Sequence, residues 1–574
     1  MRLREILAVL GIVAAVAGAI ALVPTLPRGS TAKAGPPVNW RTVADDRSKR
    51  LTISWMGPPI APGAREGTWV EKRMEEAFNV DFKPIFLDHP GYQNRKPLML
   101  MAGDVPDVCW DGDPLILRQN IHHGFVMELP YEVIIRHAPT YVRLLNKYGR
   151  AAWLYSYFNG RNYGIPTFAA SDIYPIAALW RKDWLRNVGI DKVPDTLEEM
   201  HEAFRRFRYN DPDRNGKKDT YAFCPEIHWS VTYVEIFCMF NVLPQDFIAR
   251  GDKVVWGGIQ PEAREALAVL RQWYQEDLID PDYITATFTT NLSQSKFLNG
   301  RIGYMPYAGT DDALDLSNDN STYSRLKQIC NENRRKGLTG TDAELVAAPP
   351  PIGRDGKRRY RFWGGPAHVI WFGTHVGKQP EKALRVLWMF EELAKRENEK
   401  LFVESRIGQE GLHWRWDEQR GVVPLPPYDQ PGNDAKHLLG VGLLDNAYGF
   451  FSCCSAPLEV TDKYLPRRVK EFRAKYRRTE WGLMNAIGKS DVVESAERYL
   501  DDLREYQAEA YAEIIRGEKN LDYFDTFVAE WKRRGGDVLT REANEMFQIM
   551  KQIEQIVEIP ATQPAGVAGK ANGK

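Results

Sequence analysis

The chain has 574 residues, of which 44% are hydrophobic and 26% are charged, fractions that are typical of soluble globular proteins. Lys and Arg together number 76, as do Asp and Glu, so the net charge is zero. This balance excludes a protein whose overall field recruits nucleic acid or a membrane surface. A chain of this length is expected to form two or more domains.

The N-terminal residues have the pattern of an export signal. Arg2 and Arg4 precede an uncharged, apolar run at residues 6–23, and residues 32–34 (Ala-Lys-Ala) fit a cleavage site. An apolar run of this length is also at the lower limit for crossing a membrane, so an uncleaved anchor is the alternative. No cysteine lies near the run, which predicts that the protein is not a lipoprotein. Residues 1–34 are therefore interpreted as a signal peptide or membrane anchor, and the rest of the protein as periplasmic or extracellular.

The next part of the chain alternates between strand and helix patterns. Residues 51–55 alternate between apolar and polar side chains, as a strand does. Thr68 and Glu71 form a capping box that starts a helix, and residues 80–86 return as a strand. This order predicts an α/β domain with a largely parallel sheet. Because ligands bind at the carboxyl ends of such strands, Trp110 and Asp111 are expected at the rim of the sheet.

A second region is rich in helices. Thr196 and Glu199 form another capping box, before a helix whose buried face is predicted to hold Leu197, Met200, Phe204 and Phe207. Helical patterns return at residues 261–276 and dominate from Glu381 onward. The small, polar residues 561–574 predict a disordered C-terminal tail.

The cysteines do not indicate a metal site, because none has a Cys-x-x-Cys or Cys/His spacing. Most are predicted to be small buried hydrophobic residues, and a disulfide between Cys224 and Cys238 is left open. The six cysteines are Cys109, Cys224, Cys238, Cys330, Cys453 and Cys454.

The polar loop after the second helix has the spacing of a calcium loop. Oxygen-bearing side chains occupy loop positions 1, 3, 5 and 9, at Asp211, Asp213, Asn215 and Asp219. Gly216 allows the sharp turn at position 6, and the backbone carbonyl of Lys217 provides the ligand at position 7. Position 12, which is a bidentate Glu in a full EF-hand loop, is Ala222. A polar turn without a metal is the alternative interpretation.

Motifs spread over most of the chain carry a resemblance to a known family. They lie in order at residues 103–108, 159–166, 180–185, 194–200, 211–219, 297–303, 516–525 and 530–536. The chain resembles the extracellular solute-binding proteins of ABC-type importers, in the large carbohydrate-binding group (family 1). Within that group it is most similar to the calcium-carrying alginate-oligosaccharide binders. In that family Glu commonly follows the last loop aspartate, whereas Thr220 stands here.

The resemblance implies an α/β fold of two discontinuous lobes, type II-like, with a ligand cleft between them. It places residues 50–165 plus 300–365 in lobe 1, and residues 166–299 plus 366–550 in the helix-rich lobe 2. It also implies a structural calcium held by the loop residues above, an ABC permease as partner, a monomer and no catalysis.

Sugar binding needs aromatic plates for the C–H faces of the rings and polar side chains for the hydroxyls. For each candidate, packing in the core is the open alternative to contact with ligand. The candidates are Trp110, Asp111, Trp180, His228, Trp229, Tyr307, Trp363, Trp414 and Trp416.

Three functions are compared. The leading one is a receptor that captures an oligosaccharide and delivers it to an ABC permease without turnover. The alternatives are a secreted or anchored carbohydrate-active enzyme, whose carboxylate pair would lie among Asp104, Asp107 and Asp111, and a membrane-anchored sugar sensor. No motif of a nucleophilic or zinc hydrolase supports the enzyme.

Overall fold

The computed structural model describes residues 38–57, 66–169, 173–225, 232–285, 292–429 and 458–559. The strands in these ranges are β1 Leu51–Met56, β2 Val80–Pro84, β3 Val108–Asp111, β4 Tyr157–Phe158, β5 Arg161–Asn162, β6 Ile165–Phe168, β7 Ala177–Arg181, β8 Phe247–Arg250, β9 Lys253–Trp256, β10 Tyr304–Gly309, β11 Leu345–Ala348, β12 Tyr360–Arg361, β13 Pro366–Phe372, β14 Trp414–Asp417, β15 Gly421–Pro424 and β16 Gly482–Leu483.

The α-helices are α1 Trp69–Phe78, α2 His89–Met101, α3 Pro114–His122, α4 Tyr131–His137, α5 Pro139–Tyr148, α6 Lys182–Asn187, α7 Leu197–Tyr209, α8 Val234–Met239, α9 Pro261–Gln275, α10 Leu292–Leu298, α11 Thr322–Arg335, α12 Glu381–Ala394, α13 Glu399–Ile407, α14 Leu458–Lys463, α15 Arg467–Tyr476, α16 Ala496–Arg516, α17 Tyr523–Trp531 and α18 Asp537–Val557.

The first lobe is built on a five-stranded sheet in the order β2-β1-β3-β13-β6. β1 runs parallel to β2 and β3, as the strand–helix–strand pattern predicted, whereas β13 is antiparallel to both of its neighbours. The capping box before α1 is also present, since the Thr68 side chain accepts a hydrogen bond from the Glu71 amide and the Glu71 side chain accepts one from the Gly67 amide. The carboxyl ends of β1 and β3 therefore lie at one edge of this sheet, as expected for a binding edge.

The second lobe contains a three-stranded antiparallel sheet in the order β10-β7-β11. The side chain of Thr196 caps α7 by accepting a hydrogen bond from the Glu199 amide. Met200, Phe204 and Phe207 are buried, as the periodicity of α7 predicted. The ring of Phe204 stacks on Trp180 of the central strand, so α7 covers this sheet.

The segments that cross between the lobes lie differently from the predicted boundaries. β10 and β11 pair with β7, so much of residues 300–365 belongs with the second lobe. β13 pairs with β3 and β6, so the chain from residue 366 returns to the first lobe. The predicted lobe assignment is therefore wrong for β10, β11 and β13. The lobe that each strand joins depends on backbone pairing with strands far away in the chain, which the local sequence pattern does not encode.

The last helix, α18, forms hydrogen bonds with both lobes. The side chain of Asn544 on α18 accepts from the Val254 amide and donates to the Val254 carbonyl, on the second-lobe hairpin. Asn146 of the first lobe donates to the carbonyl of Val557, at the other end of α18. The C-terminal region is therefore shared between the lobes.

The cysteines in the described ranges are all buried and free. They are Cys109, Cys224, Cys238 and Cys330. The predicted character of these residues as buried hydrophobes is confirmed, and the disulfide left open between Cys224 and Cys238 is not formed.

Candidate functional site

A cavity of about 520 Å³ lies where the carboxyl end of β3 and the start of β13 face the second lobe. We call this cavity the cleft. Its lining comes from segments that are far apart in the chain: residues 112–113, 155, 246, 361, 363, 366–368, 488–491 and 504. The position is the one at which α/β sheets bind ligands, at the carboxyl ends of parallel strands.

Trp363 is the exposed aromatic plate of the cleft. Its side chain is 42% exposed, and the guanidinium of Arg361 lies 3.9 Å from its ring centre. Arg361 is itself buried and donates to Asp246 over 3.0 and 3.2 Å. Gly364 follows with a φ of +74°, and a Cβ on Gly365 would lie 1.5 Å from the Tyr148 carbonyl oxygen. The two glycines are therefore required for the backbone to present Trp363 at this point.

His368 lines the cleft on the first lobe, and its ring packs against that of Trp110. Their rings lie 4.6 Å apart, and a Cβ at Gly112 would collide with Trp110, so only glycine fits between them. Trp110 Nε1 and His368 Nδ1 are both buried and have no hydrogen-bond partner. Burial, together with the nearby charge of Lys489, lowers the pKa of His368 to about 3, so its ring is neutral at pH 7.

The polar side of the cleft combines carboxylates with an ammonium. The Lys489 ammonium donates to the carbonyls of Gly112 and Ala367, and it lies 5.0 Å from the ring centre of Tyr155. Burial and the neighbouring Asp491 raise the pKa of Asp113. Flat aromatic faces beside donors and acceptors of both charges are the features that bind a polyhydroxylated ring.

A larger cavity, of about 710 Å³, lies on the other side of the crossing segment 360–366. Its arginines are held by groups of the protein itself. Arg473 donates to Asp311 and Asp462, and Arg477 donates to Asp311 and to the carbonyls of residues 174 and 175. Because these guanidinium groups already have partners within the protein, the cleft is the better candidate for the ligand site.

Several predicted ligand residues lie away from the cleft. Asp111 is buried, and its carboxylate is bound by Lys96, Asn120 and Trp371. Trp180 is 1% exposed and packs in the second-lobe core. Asp111 and Trp180 are therefore part of the core, each within a buried cluster of its own lobe.

The two tryptophans of the β14–β15 hairpin both pack against Tyr464, with ring centres 5.8 Å away for Trp414 and 5.7 Å for Trp416. Trp414 is buried and donates to the carbonyl of Gly408 over 2.9 Å. Neither residue lines the cleft. His228, Trp229 and the side chain of Tyr307 lie outside the described residues.

Sequence reasoning missed the charged residues of the cleft. Asp246, Arg361, Lys489 and Arg504 come from four distant segments and stand in no recognisable motif. The only local signal was the Trp-Gly-Gly sequence at 363–365, which marks the place where the backbone must approach a neighbour closely.

The predicted calcium loop follows α7 on the second lobe, and none of its residues lines the cleft. Asp211 accepts hydrogen bonds from the amides of Asn215 and Gly216, both over 3.0 Å. Gly216 has the positive φ, +75°, that the turn requires. The carbonyl of Asp213 binds the Gly340 amide over 2.7 Å, which joins the loop to the segment before β11.

The loop has oxygen ligands of the kind that calcium prefers, but they are partly satisfied by other groups. Oδ1 of Asp213 is buried without a hydrogen-bond partner, and burial with the adjacent Asp211 and Asp219 raises the pKa of Asp213 to about 7. The side-chain amide of Asn215 donates to both Asp213 and Asp219, and Arg301 pairs with Asp219 over 3.1 Å. Across the described ranges, no cluster of three or more His, Cys, Asp or Glu side chains is placed to hold a metal.

Thr220 stands where the resembled family commonly has Glu, and Ala222 stands where a full EF-hand loop has its bidentate Glu. Both residues face the protein interior. Thr220 is buried, and its hydroxyl donates to the carbonyl of Phe207 over 2.7 Å. Ala222 is fully buried, and its amide donates to the carbonyl of Leu278. Neither the Thr220 hydroxyl nor the side chain at position 222 is therefore available as a calcium ligand.

No protein-family model matches the chain. One relative is the polygalacturonan/rhamnogalacturonan-binding protein YtcQ of Bacillus subtilis, with 22% identity over 88% of this chain and 92% of that protein. Another is the lipoprotein LipO of the same organism, with 21% identity over 87% of this chain and 93% of LipO.

Solved structures share the fold over most of the chain. The alginate-binding protein AlgQ2, in a structure without calcium ion, matches 88% of this chain with a TM-score of 0.56 and 17% identity, and all of AlgQ2 is covered. A human-milk-oligosaccharide (HMO) binding solute-binding protein of an ABC transporter from Bifidobacterium longum infantis matches 87% of this chain and 99% of its own, with a TM-score of 0.61 and 14% identity. The chain has the two-lobe fold of solute-binding proteins. The predicted resemblance and the predicted α/β two-lobe fold are both confirmed.

One prediction made from the N-terminal sequence is wrong. The lack of a cysteine near the N-terminal apolar run led us to exclude a lipoprotein, but the relative LipO is a lipoprotein. The exclusion is therefore withdrawn. Among the helices of the described ranges, none has the length and apolar character needed to cross a membrane. The predicted signal or anchor at residues 1–34 and the predicted tail at 561–574 lie outside those ranges.

Proposed function

We propose that the protein is a solute-binding protein that captures an oligosaccharide in the cleft, acts without catalysis, and presents the sugar as a monomer to an ABC permease. The observation that carries this proposal is the cleft itself, which is lined by the exposed ring of Trp363 and by His368, whose buried Nδ1 has no hydrogen-bond partner. Unpartnered buried polar atoms are unfavourable, so a ligand with hydroxyl groups would stabilise them. The matched relatives and structures are named as binding proteins, which supports capture over hydrolysis or sensing.

Replacing Trp363 with alanine is expected to weaken saccharide binding about tenfold or more, because the ring face is lost while the fold is kept. A stacked aromatic is worth about 0.5–1.5 kcal/mol beyond the area it buries, and 1.4 kcal/mol corresponds to tenfold. A thermal-shift screen with neutral and acidic oligosaccharides would find the ligand, and titration calorimetry would measure the affinity.

The matched control is Trp416→Ala, which removes a tryptophan that packs on Tyr464 outside the cleft. Its affinity should equal that of the unmodified protein. Equal losses in both variants would contradict the assignment of the cleft, and release of sugar products during the titration would contradict a non-catalytic role.

We also propose that the loop at 211–219 holds a structural calcium through Asp211, Asp213, Asn215, Asp219 and the carbonyl of Lys217. The unpartnered, buried Oδ1 of Asp213 supports this proposal. Calcium at 100 times its dissociation constant would stabilise the protein by about 2.7 kcal/mol. The melting temperature is therefore expected to fall when EDTA replaces calcium, whereas saccharide affinity should not change because the loop lies outside the cleft.

Asp213→Asn is the control for the calcium experiment, because it removes a carboxylate but keeps the size of the side chain. Its melting temperature should be the same in calcium and in EDTA. A melting temperature of the unmodified protein that does not respond to calcium would show that the loop is a polar turn without metal.

A further inference from the structure

A second cavity, of about 260 Å³, lies in the second lobe beside the cleft. We call it the side cavity. Most of its wall is apolar or aromatic, with contributions from Tyr233, Phe237, Tyr283, Tyr511, Ala512 and Ile515. Such a wall, with aromatic faces and a few polar atoms, suits a largely apolar ring that carries a polar group.

The side cavity is held open by rigid packing. The rings of Phe237 and Tyr511 stack with centres 5.5 Å apart and planes inclined by 15°. The side chain of Gln507 ties α16 to two other segments. It donates to the carbonyl of Pro244, in the cavity wall, over 2.7 Å and accepts from Trp256 Nε1 over 2.7 Å. Collapse of α16 into the space would break both hydrogen bonds.

The side cavity and the cleft meet at Arg504. The side chain of Arg504 lines both spaces. Gln245 lines the side cavity, and its neighbour Asp246 lines the cleft, so two adjacent residues face the two compartments. The cleft and the side cavity are therefore adjacent, with the side chain of Arg504 at their common boundary.

The wall contains buried polar atoms without a hydrogen-bond partner, namely the hydroxyl oxygens of Tyr233 and Tyr283 and Oε1 of Gln245. Oε1 of Gln245 is buried without a hydrogen bond, in a residue that is 6% exposed. A buried acceptor is expected to have a donor, so the occupant of the side cavity should bring one.

We propose that the side cavity binds a hydroxyaryl substituent of the saccharide that the cleft holds. This inference rests on the proposed function of the cleft. An apolar cavity of about 150 Å³ binds benzene, so 260 Å³ has room for a substituted ring. The ring packs against Phe237 and Tyr511, its hydroxyl donates to Gln245 Oε1, and the sugar to which it is joined lies in the cleft beyond Arg504.

Two small probes test the side cavity directly. Methyl ferulate has a phenolic hydroxyl, and methyl 3-methoxycinnamate differs from it only by lacking that hydroxyl. Calorimetric titration of the whole protein should give binding of both, with methyl ferulate at least fivefold tighter. Ala512→Phe, which fills the cavity, should weaken both at least tenfold, whereas Glu509→Phe on the exposed side of α16 should weaken neither.

Gln245→Met keeps the length of the side chain but removes the acceptor. The preference for methyl ferulate over methyl 3-methoxycinnamate should then fall to about onefold, whether or not Ala512→Phe folds. Failure of both probes to bind the unmodified protein, equal losses in Ala512→Phe and Glu509→Phe, or an unchanged preference in Gln245→Met would each overturn the proposal.

An unsubstituted oligosaccharide, titrated in parallel, separates this proposal from the proposed function. Saccharide binding without probe binding would overturn the side cavity alone. Probe binding without any saccharide binding would overturn the assignment to a sugar substituent, because the cavity would then be a site for free phenolic compounds.

Discussion

Replacement of Lys96 by methionine is expected to lower the free energy of unfolding by about 3–5 kcal/mol, the usual effect of leaving one partner of a buried ion pair alone. The Lys96 ammonium lies 2.5 Å from Asp111, and both side chains are almost fully buried. The same ammonium donates to the carbonyl of Trp110 over 2.8 Å, so it also holds the end of β3 that forms the cleft wall. Denaturant unfolding would measure the loss, and saccharide affinity should fall with it.

Lys395→Met is the matched control for this substitution. Lys395 pairs with Glu392 one helical turn away over 2.7 Å, but both side chains are partly exposed. Partly solvated pairs of this kind contribute about 1 kcal/mol or less, so the control should change stability little. A loss in Lys96→Met no larger than in Lys395→Met would show that water or a shift of Asp111 compensates the buried charge.

Glu235→Gln is expected to stabilise the protein at pH 8 by a few kcal/mol and to have much less effect at pH 5. Glu235 on α8 is fully buried, and neither carboxyl oxygen has a hydrogen-bond partner. Burial raises its pKa to about 8. Between about pH 4.5 and 8 the folded protein therefore keeps a proton that the unfolded chain releases. Stability must fall as pH rises through this range, by about 1.4 kcal/mol per pH unit from this group.

The difference in unfolding free energy between Glu235→Gln and the unmodified protein, measured from pH 5 to 8.5, isolates this group. Contributions from Asp213 and His368, whose pKa values are also shifted, cancel in the difference. Glu397→Gln, at an exposed position, makes the same chemical change outside the core. A difference that does not depend on pH would mean that Glu235 is ionised in the folded protein at pH 5.

Much of the local structure was predictable because its causes are local. Thr68 and Thr196 cap α1 and α7 through bonds to residues three positions away. The buried face of α7 follows from a periodicity that lies within one helix. The two-lobe fold was predicted differently, from the resemblance to a known family that the ordered motifs carry.

The assignment of strands to lobes was not predictable in the same way. β13 joins the first sheet through pairs such as Val369 with Asp111, more than 250 residues apart. The burial of Trp180 also depends on distant partners, because the rings of Phe204 and Tyr304 enclose it. Sequence alone marks an aromatic residue as a candidate for either core or ligand, and only packing decides between them.

By itself, the sequence determined the capped helices, the α/β class, the turn at Gly216 and the placement of Trp363 before two glycines, since each depends on neighbours in the chain. The tertiary structure decided which lobe each crossing segment joins and which polar groups meet in the cleft. Asp246, Arg361, Lys489 and Arg504 converge there from four segments. Arg361 pairs with Asp246 across more than 100 residues of chain, and no pattern along the sequence records that geometry.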